Sequence, residues 1–389
     1  MPSLFVRPIT YVVLSVAALA ACGSQSTGPE GQLDAAATAQ TVQTVQSAFT
    51  SAGVQSFENA SIAIDAALGS STAIASAFVT PTSAGNGRLR AFGVRQLAQL
   101  NSAAAGAARS STGPAPVALT IPNALLGRTF EWNSSLGRYA VASTPPTDLA
   151  AVPSNGVRFL LYTWDEATDR PATPLVRVGF ADIIESTTSA GRSYRLVVTA
   201  NSIVYLDYTT SYAFSQAQQS AAYTASGFVT NGTTRANFTL ANTIAAASNG
   251  SVTLDYLVTV PSENITVDYL IALRNISAPA GDEELEVDLT LQGNGGRIDV
   301  DGTLDGVTTP APESDDIFAG FAGVLTVRVN NGIFATITLA ATGDPVIRNA
   351  AGQPLNAAEA DALEDVFDLL EDGFDFIDDL LRPLDQFFD

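Results

Sequence analysis

SVTLDYLVTVPSENITVDYLIAL, residues 251–273, decides the fold class. Apolar and polar residues alternate on both sides of its centre, and a strand sends successive side chains to opposite faces. Folding the stretch back about Ser262-Glu263 sets Val260 opposite Ile265, Val258 opposite Val267, Tyr256 opposite Tyr269 and Leu254 opposite Ile271. These residues share one apolar face. The other face carries Thr253, Asp255, Thr259, Thr266 and Asp268, with Leu257 and Leu270 as exceptions. Matched cross-strand pairs fix the register, because a slip of one residue would turn every one of them to water. The stretch reads as an antiparallel hairpin with one buried side.

The pattern extends in both directions. Phe238, Leu240 and Ile244 alternate with Asn237, Thr239 and Thr243 just upstream. Downstream, residues 283–306 fold about Asn294-Gly295, pairing Leu291 with Ile298, Leu289 with Val300 and Leu285 with Leu304. In FAGVLTVRVNNGIFATITL, residues 321–339, a turn at Asn330-Asn331-Gly332 sets Val329 against Ile333 and Leu325 against Ile337. Up to fourteen such strands are predicted between residue 120 and residue 343. The expected fold is mainly β: a long antiparallel meander forming a curved sheet, half-barrel, barrel or sandwich. YLDYT (205–209), TLDYL (253–257), TVDYL (266–270) and EVDLT (286–290) share a strand grammar, but their unequal spacing does not make a repeat family.

The flanks read differently. Residues 35–116 are rich in Ala and Ser. Val42, Val45, Ala48 and Phe49 stand at helical spacing, and Phe57 to Ile74 continue the pattern, which predicts two helices. Residues 80–116 hold four arginines and no acid, and read as a solvated linker with one short helix. The β domain is expected over 117–345. Within 346–389, Leu363, Val366, Phe367, Leu370, Phe374, Ile377, Leu381, Leu384 and Phe388 form one helical stripe. Asn356 and Glu359 form a capping-box start, with Gly373 and Pro383 as points of bending or ending. The opposite face is acidic, and the whole amphipathic helix is expected to pack, like the N-terminal ones, on the open apolar face of the sheet.

Composition narrows the chemistry. The 389 residues contain no histidine and no lysine, and one cysteine. That removes Ser-His-Asp and Cys-His catalysis, lysine Schiff bases, Walker-type phosphate loops and His-ligated zinc. Carboxylate-pair chemistry, as in glycan hydrolysis, is the main catalytic route left. A net charge of −21 argues against nucleic acid as a partner, since phosphate binding rests on Lys and Arg.

At the N-terminus, Arg7 precedes an apolar run from Ile9 to Ala21, a length suited to a secretory h-region. The run ends in Leu19-Ala20-Ala21-Cys22, which resembles the lipobox of bacterial lipoproteins. The resemblance implies that residues 1–21 are a signal peptide and that Cys22 is lipidated. It also implies that 22–34 form a flexible tether and that the protein is held in the cell envelope by its lipid. Gly23 stands where Asp would retain a lipoprotein at the inner membrane, so the resemblance points to the outer membrane if the host has one.

DVDGTL, residues 299–304, matches the string that opens the active site of haloacid-dehalogenase-like phosphatases, where Asp299 would be the nucleophile and Asp301 the general acid/base. That family places the string after a buried parallel strand and requires a later lysine. Here it follows GNGGR inside an antiparallel hairpin, and no lysine exists, so it is read as a chance match and no catalytic residue is assigned. The same register opposes Asp288 to Asp301 and Glu284 to Asp305. Like charges so placed call for solvation or a bridging hard cation such as Ca²⁺, which makes these four the candidate metal residues.

A curved antiparallel sheet with a helical cover loosely resembles the carriers of lipoproteins and lipids. The expected function is therefore a lipid-anchored, non-catalytic envelope protein, structural or binding an envelope partner, with a carrier of a hydrophobic ligand as the alternative and a carboxylate-based glycan hydrolase as the second.

Overall fold

The computed structural model describes residues 31–69, 93, 97, 100 and 121–381, apart from 166, 189–190, 216, 248, 278–280, 308–317 and 341–343. Residues 1–30, where the signal peptide, Cys22 and most of the tether are expected, and most of the 80–116 stretch lie outside the described residues, as do Pro383, Leu384 and Phe388.

The meander is present as one open sheet of fifteen strands. In chain order come β1 (Thr129–Asn133), β2 (Arg138–Val141) and β3 (Gly156–Tyr162), which stand at one edge in the order β2-β1-β3, then, after a separate two-residue pair β4 (Trp164–Asp165) and β5 (Arg170–Pro171), the long strands. These are β6 (Arg177–Thr188), β7 (Gly191–Ala200), β8 (Ile203–Ser215), β9 (Ser220–Thr230), β10 (Arg235–Ala245), β11 (Ser251–Val260) and β12 (Ile265–Arg274). The sheet continues with β13 (Glu284–Gly293), β14 (Gly296–Gly306), β15 (Phe321–Val329), β16 (Gly332–Leu339) and β17 (Val346–Asn349). From β6 to β17 every strand pairs with its chain neighbours, all antiparallel; β1 and β3 pair in parallel. The two ends, β2 and β17, do not meet, so of the predicted alternatives the closed barrel is not the one formed. Both edge strands are four residues long, which limits the free backbone offered for edge-to-edge pairing.

The deciding hairpin has the predicted register, with all four apolar pairs from Val260–Ile265 to Leu254–Ile271. Pro261–Glu263 form a single 3₁₀ turn, and Asn264 closes it at φ +54°. The β13–β14 hairpin also pairs as read, about Asn294-Gly295. The β15–β16 hairpin corrects its sequence reading near the turn. Leu325 does pair with Ile337, but Val329 pairs with Gly332, and Ile333 lies opposite Arg328. Asn330 and Asn331, at φ +49° and +71°, make a two-residue turn, and a bulge at Val327/Arg328 restores the apolar phase beyond it. Ile333 is consequently 53% exposed.

Among the described residues, three long helices cover the inner face: α1 (Ala35–Ser47), α2 (Ala52–Gly69) and α3 (Ala357–Leu381). Each starts with a side chain that satisfies otherwise unpaired N–H groups. Asp34 Oδ1 accepts from Ala37 N, and Ser51 Oγ accepts from Val54 N. Asn356 and Glu359 exchange side chain-to-backbone bonds at 3.0 and 3.1 Å, the predicted capping box. Helix α3 begins only at Ala357, and β17, inside the segment assigned on sequence to the C-terminal helix, still belongs to the sheet. Helix α2 lies over β2, β3 and β6–β8, while α1 packs against α3 and β13. Helices and strands share one continuous apolar core. The described residues of the arginine-rich stretch belong to it as well. Gly93, Leu97 and Leu100 are helical and buried, and Gly93 approaches Leu273 so closely that a Cβ there would lie 2.7 Å from it. The solvated-linker reading fails at these three residues, whose i, i+4, i+7 spacing puts them on one helical face. No described helix is long and apolar enough to cross a membrane.

Candidate functional site

The inner face of β11 and β12 meets α1 and α3 imperfectly, and a cavity of about 640 Å³ remains between them. Its walls are Val45 and Phe49 from α1 and the residues just after it, Val258 and Val267 from the deciding hairpin, and Leu369 and Phe376 from α3. Phe49 stands edge-on to Phe376 at 4.6 Å, and Phe376 in turn meets Phe238 at 5.8 Å, so aromatic contacts hold the helices at a fixed distance from the sheet. Two polar contacts pin the helix ends. Tyr208 Oη donates to the Leu380 carbonyl at 2.6 Å, and Asn231 Nδ2 donates to the Ser47 carbonyl at 2.7 Å. At the mouth, Gln46 Nε2 donates to Asp372 Oδ2 at 2.8 Å, with Gln43, Gln55 and Glu58 alongside.

Tyr256 and Tyr269 line the sheet side of the cavity, their rings 5.0 Å apart. Both hydroxyls are buried, and neither has a hydrogen-bond partner among the described residues. A buried hydroxyl left unpaired costs about 1–3 kcal/mol, so such a pair marks either a functional site or a missing acceptor. Burial pushes the ionisation of both well above the usual tyrosine range, and the neighbouring ring adds to it at Tyr269. Both therefore remain neutral hydrogen-bond donors. Gly373 faces Tyr269 from α3, and a Cβ at that position would lie 2.6 Å from the hydroxyl oxygen. The sequence marked Gly373 as a place for a bend; the helix instead runs through it to Leu381, and the missing side chain makes room for Tyr269.

Tyr256 and Tyr269 were legible as an inward-facing pair. Phe376 and Leu369 were not, because the predicted stripe on α3 was too narrow. Ala362, Leu369, Phe376 and Leu380 are buried beside it, since the helix is enclosed by α1 as well as by the sheet. An apolar arc wider than the ~100° of a one-sided helix was the available signal.

The outer face presents the acidic residues in the predicted register, Asp288 beside Asp301 and Glu284 beside Asp305. Arginines stand among them. Arg274 reaches Glu284 at 2.7 Å and also Glu286, Arg297 reaches Asp299 at 2.6 Å, and Arg328 contacts Asp301. Desolvation, then the charges of Asp301, Asp299 and Asp268, raise the ionisation of Asp288. Among the described residues no three carboxylates converge at metal-ligand spacing. Asp299 lies in the middle of an antiparallel strand and accepts from Thr290 Oγ1 at 2.7 Å. The glycine of DVDGTL has a local cause: a Cβ at Gly302 would stand 2.5 Å from the Val324 carbonyl of the adjoining strand. Alternation supplies the two aspartates and close strand approach supplies the glycine.

Comparison with known protein families, with curated proteins and with solved structures gives no match.

Proposed function

We propose that this chain is a lipid-anchored, non-catalytic envelope protein that holds a small apolar or amphipathic ligand between its sheet and its helices. The cavity beneath α1 and α3 carries the reading. It has the volume of a small-molecule site, an apolar floor and a polar mouth that is open to solvent. The anchor rests on the lipobox-like Leu19-Ala20-Ala21-Cys22, with Gly23 favouring the outer membrane of a diderm host. The lack of histidine and lysine supports a binding role over a catalytic one. On the outer face we assign the countercharge to Arg274, Arg297 and Arg328 rather than to a cation.

A purely structural or partner-binding role is the second reading, favoured by the helices themselves, which already bury the sheet's apolar face. The test is solvent extraction and mass spectrometry of the full chain purified from a bacterial envelope, beside a Val258→Phe variant that fills the cavity. A near-stoichiometric apolar compound carried by the wild type and missing from the variant supports the carrier. Its absence from both leaves the structural reading.

A further inference from the structure

We infer that the protein stands on the bilayer with one end of its sheet, the end that carries the β1–β2, β7–β8 and β15–β16 turns, against the phospholipid surface. The inference rests on the lipid-anchor reading above and names the surface that the anchor brings to the membrane.

The register assigns the connections of the meander to two ends. Consecutive strands are antiparallel, so the turns after β7, β9, β11, β13 and β15 fall at one end, together with the start of β6. Tyr162 pairs with Arg177, so β3 finishes there. Strand β1, parallel to β3, brings the β1–β2 turn to the same place.

Two observations mark this end. The first is the place where the chain leaves Cys22 for the domain. Gly31 N donates to the Val329 carbonyl at 2.9 Å, beside the Asn330-Asn331 turn. Helix α1 then runs past the neighbouring turns: a Cβ at Gly295 would stand 3.1 Å from Thr38 N, and Asn231 donates to the Ser47 carbonyl. Gly31 lies nine residues beyond Cys22, a reach of about 30 Å at full extension. Strand β14 alone runs 11 residues, about 35 Å. The tether is thus no longer than the strands, and a lipid on Cys22 keeps this end nearest the bilayer.

The second is the distribution of exposed apolar side chains. Of the ten large ones exposed among the described residues, six stand here: Leu136, Leu175, Val176, Ile203, Val204 and Ile333. Ile333 adjoins the tether, since a Cβ at Gly31 would lie 3.0 Å from its carbonyl oxygen. The other five belong to the stretch of sheet ordered β8-β7-β6-β3-β1-β2, where strands stand about 4.8 Å apart, and so gather at one corner. Clustered exposed apolar side chains mark a contact surface. Arg138, Arg170 and Arg177 are exposed at the same corner, with Asp148 in contact with Arg177 and Asp165 opposite Arg170. Charges of both signs around aliphatic side chains suit zwitterionic head groups, with the side chains entering the acyl boundary.

The alternatives elsewhere in the molecule are weaker. The acidic outer face is met by arginines and, among the described residues, shows no convergence on a point. The buried Arg158–Asp182 pair is closed by its own bonds.

The test is fluorescence of the full chain purified from a bacterial envelope, with acylation of Cys22 read from its intact mass. The chain has one cysteine, so when Cys22 carries lipid an introduced thiol alone takes a nitrobenzoxadiazole label. It is introduced by Ile203→Cys at the tether end or by Val346→Cys at the opposite end, both at exposed positions. Each labelled protein is placed in phosphatidylcholine vesicles with and without phosphatidylcholine brominated in its acyl chains. The expected result is that brominated lipid lowers emission at least ~2-fold at position 203 and leaves position 346 unchanged. Adding Leu175→Asp and Val176→Asp should remove the quenching at 203 while the thermal transition persists. Quenching that is absent from both positions, equal at both, or unchanged by the aspartates overturns the inference while the anchor stands. A label at 203 shielded from aqueous iodide yet untouched by brominated lipid shows that protein covers this end, and overturns it too. If Cys22 carries no acyl group, the anchor reading fails and this inference fails with it.

Discussion

Gly373→Ala separates a local rule from a tertiary one. In the interior of an exposed helix, replacing glycine by alanine stabilises by about 0.8–1 kcal/mol. Here the new Cβ would lie 2.6 Å from Tyr269 Oη, where ordinary contact begins at 3.4 Å. Tyr269 cannot swing aside freely, since it is 2% exposed and stands against Tyr256 at 5.0 Å. Overpacking of this kind costs about 1–3 kcal/mol, so the propensity gain is cancelled or reversed. In a Tyr269→Phe background the oxygen is gone, and the nearest atoms are ring carbons at 3.5 Å, an ordinary contact. There the same substitution should stabilise by close to its full helix-propensity value, about 1 kcal/mol. The assay is urea unfolding of the wild type, both single variants and the double variant, comparing midpoints at a common slope. The expected coupling energy is about 1–3 kcal/mol. If Gly373→Ala stabilises both backgrounds equally, Tyr269 does not press on α3 and the described packing is wrong.

Three further outcomes are expected. Arg158 is 3% exposed, donates to both oxygens of Asp182 at 2.7 Å and lies over the Phe180 ring; Arg158→Met should therefore cost about 3–5 kcal/mol by leaving a buried carboxylate unpaired, and a loss under about 1 kcal/mol in urea unfolding would contradict this. Ile333→Thr should change stability by less than about 0.5 kcal/mol, because the observed register exposes Ile333; a loss of about 2 kcal/mol or more would restore the inward pairing with Val329. The third concerns pH. Desolvation, reinforced by neighbouring acids, raises the ionisation of Asp268, Asp288, Asp365 and Asp368 above the ordinary 3.8, while Arg297 opposes the shift at the first two. In the window above 3.8 the folded chain then binds more protons than the unfolded one, so stability falls as pH rises through it. The melting temperature should climb as the buffer is taken from about pH 7.5 down to about pH 5, and a steady decline over that interval would count against the shifts.

The sequence by itself determined the strands, their order and most of their register. Val258 opposite Val267 and Leu289 opposite Val300 follow from a period of two and a turn a few residues long, both of which are local. It also determined the capping box at Asn356 and the apolar stripe that covers the sheet. It misjudged Ile333, because a two-residue turn followed by a bulge differs from a three-residue turn only in backbone dihedrals that two asparagines leave open. The candidate site was half legible: the facing tyrosines could be read from the hairpin, but the space above them could not. A cavity is what remains when α1 and α3, more than three hundred residues apart in the chain, settle on the same strands. Its existence depends on how far Phe49 and Phe376 hold those helices off the sheet, and on Gly373 yielding room to a tyrosine about a hundred residues earlier. Periodicity assigns each residue to a face; only the packed structure decides what that face meets and where it fails to close.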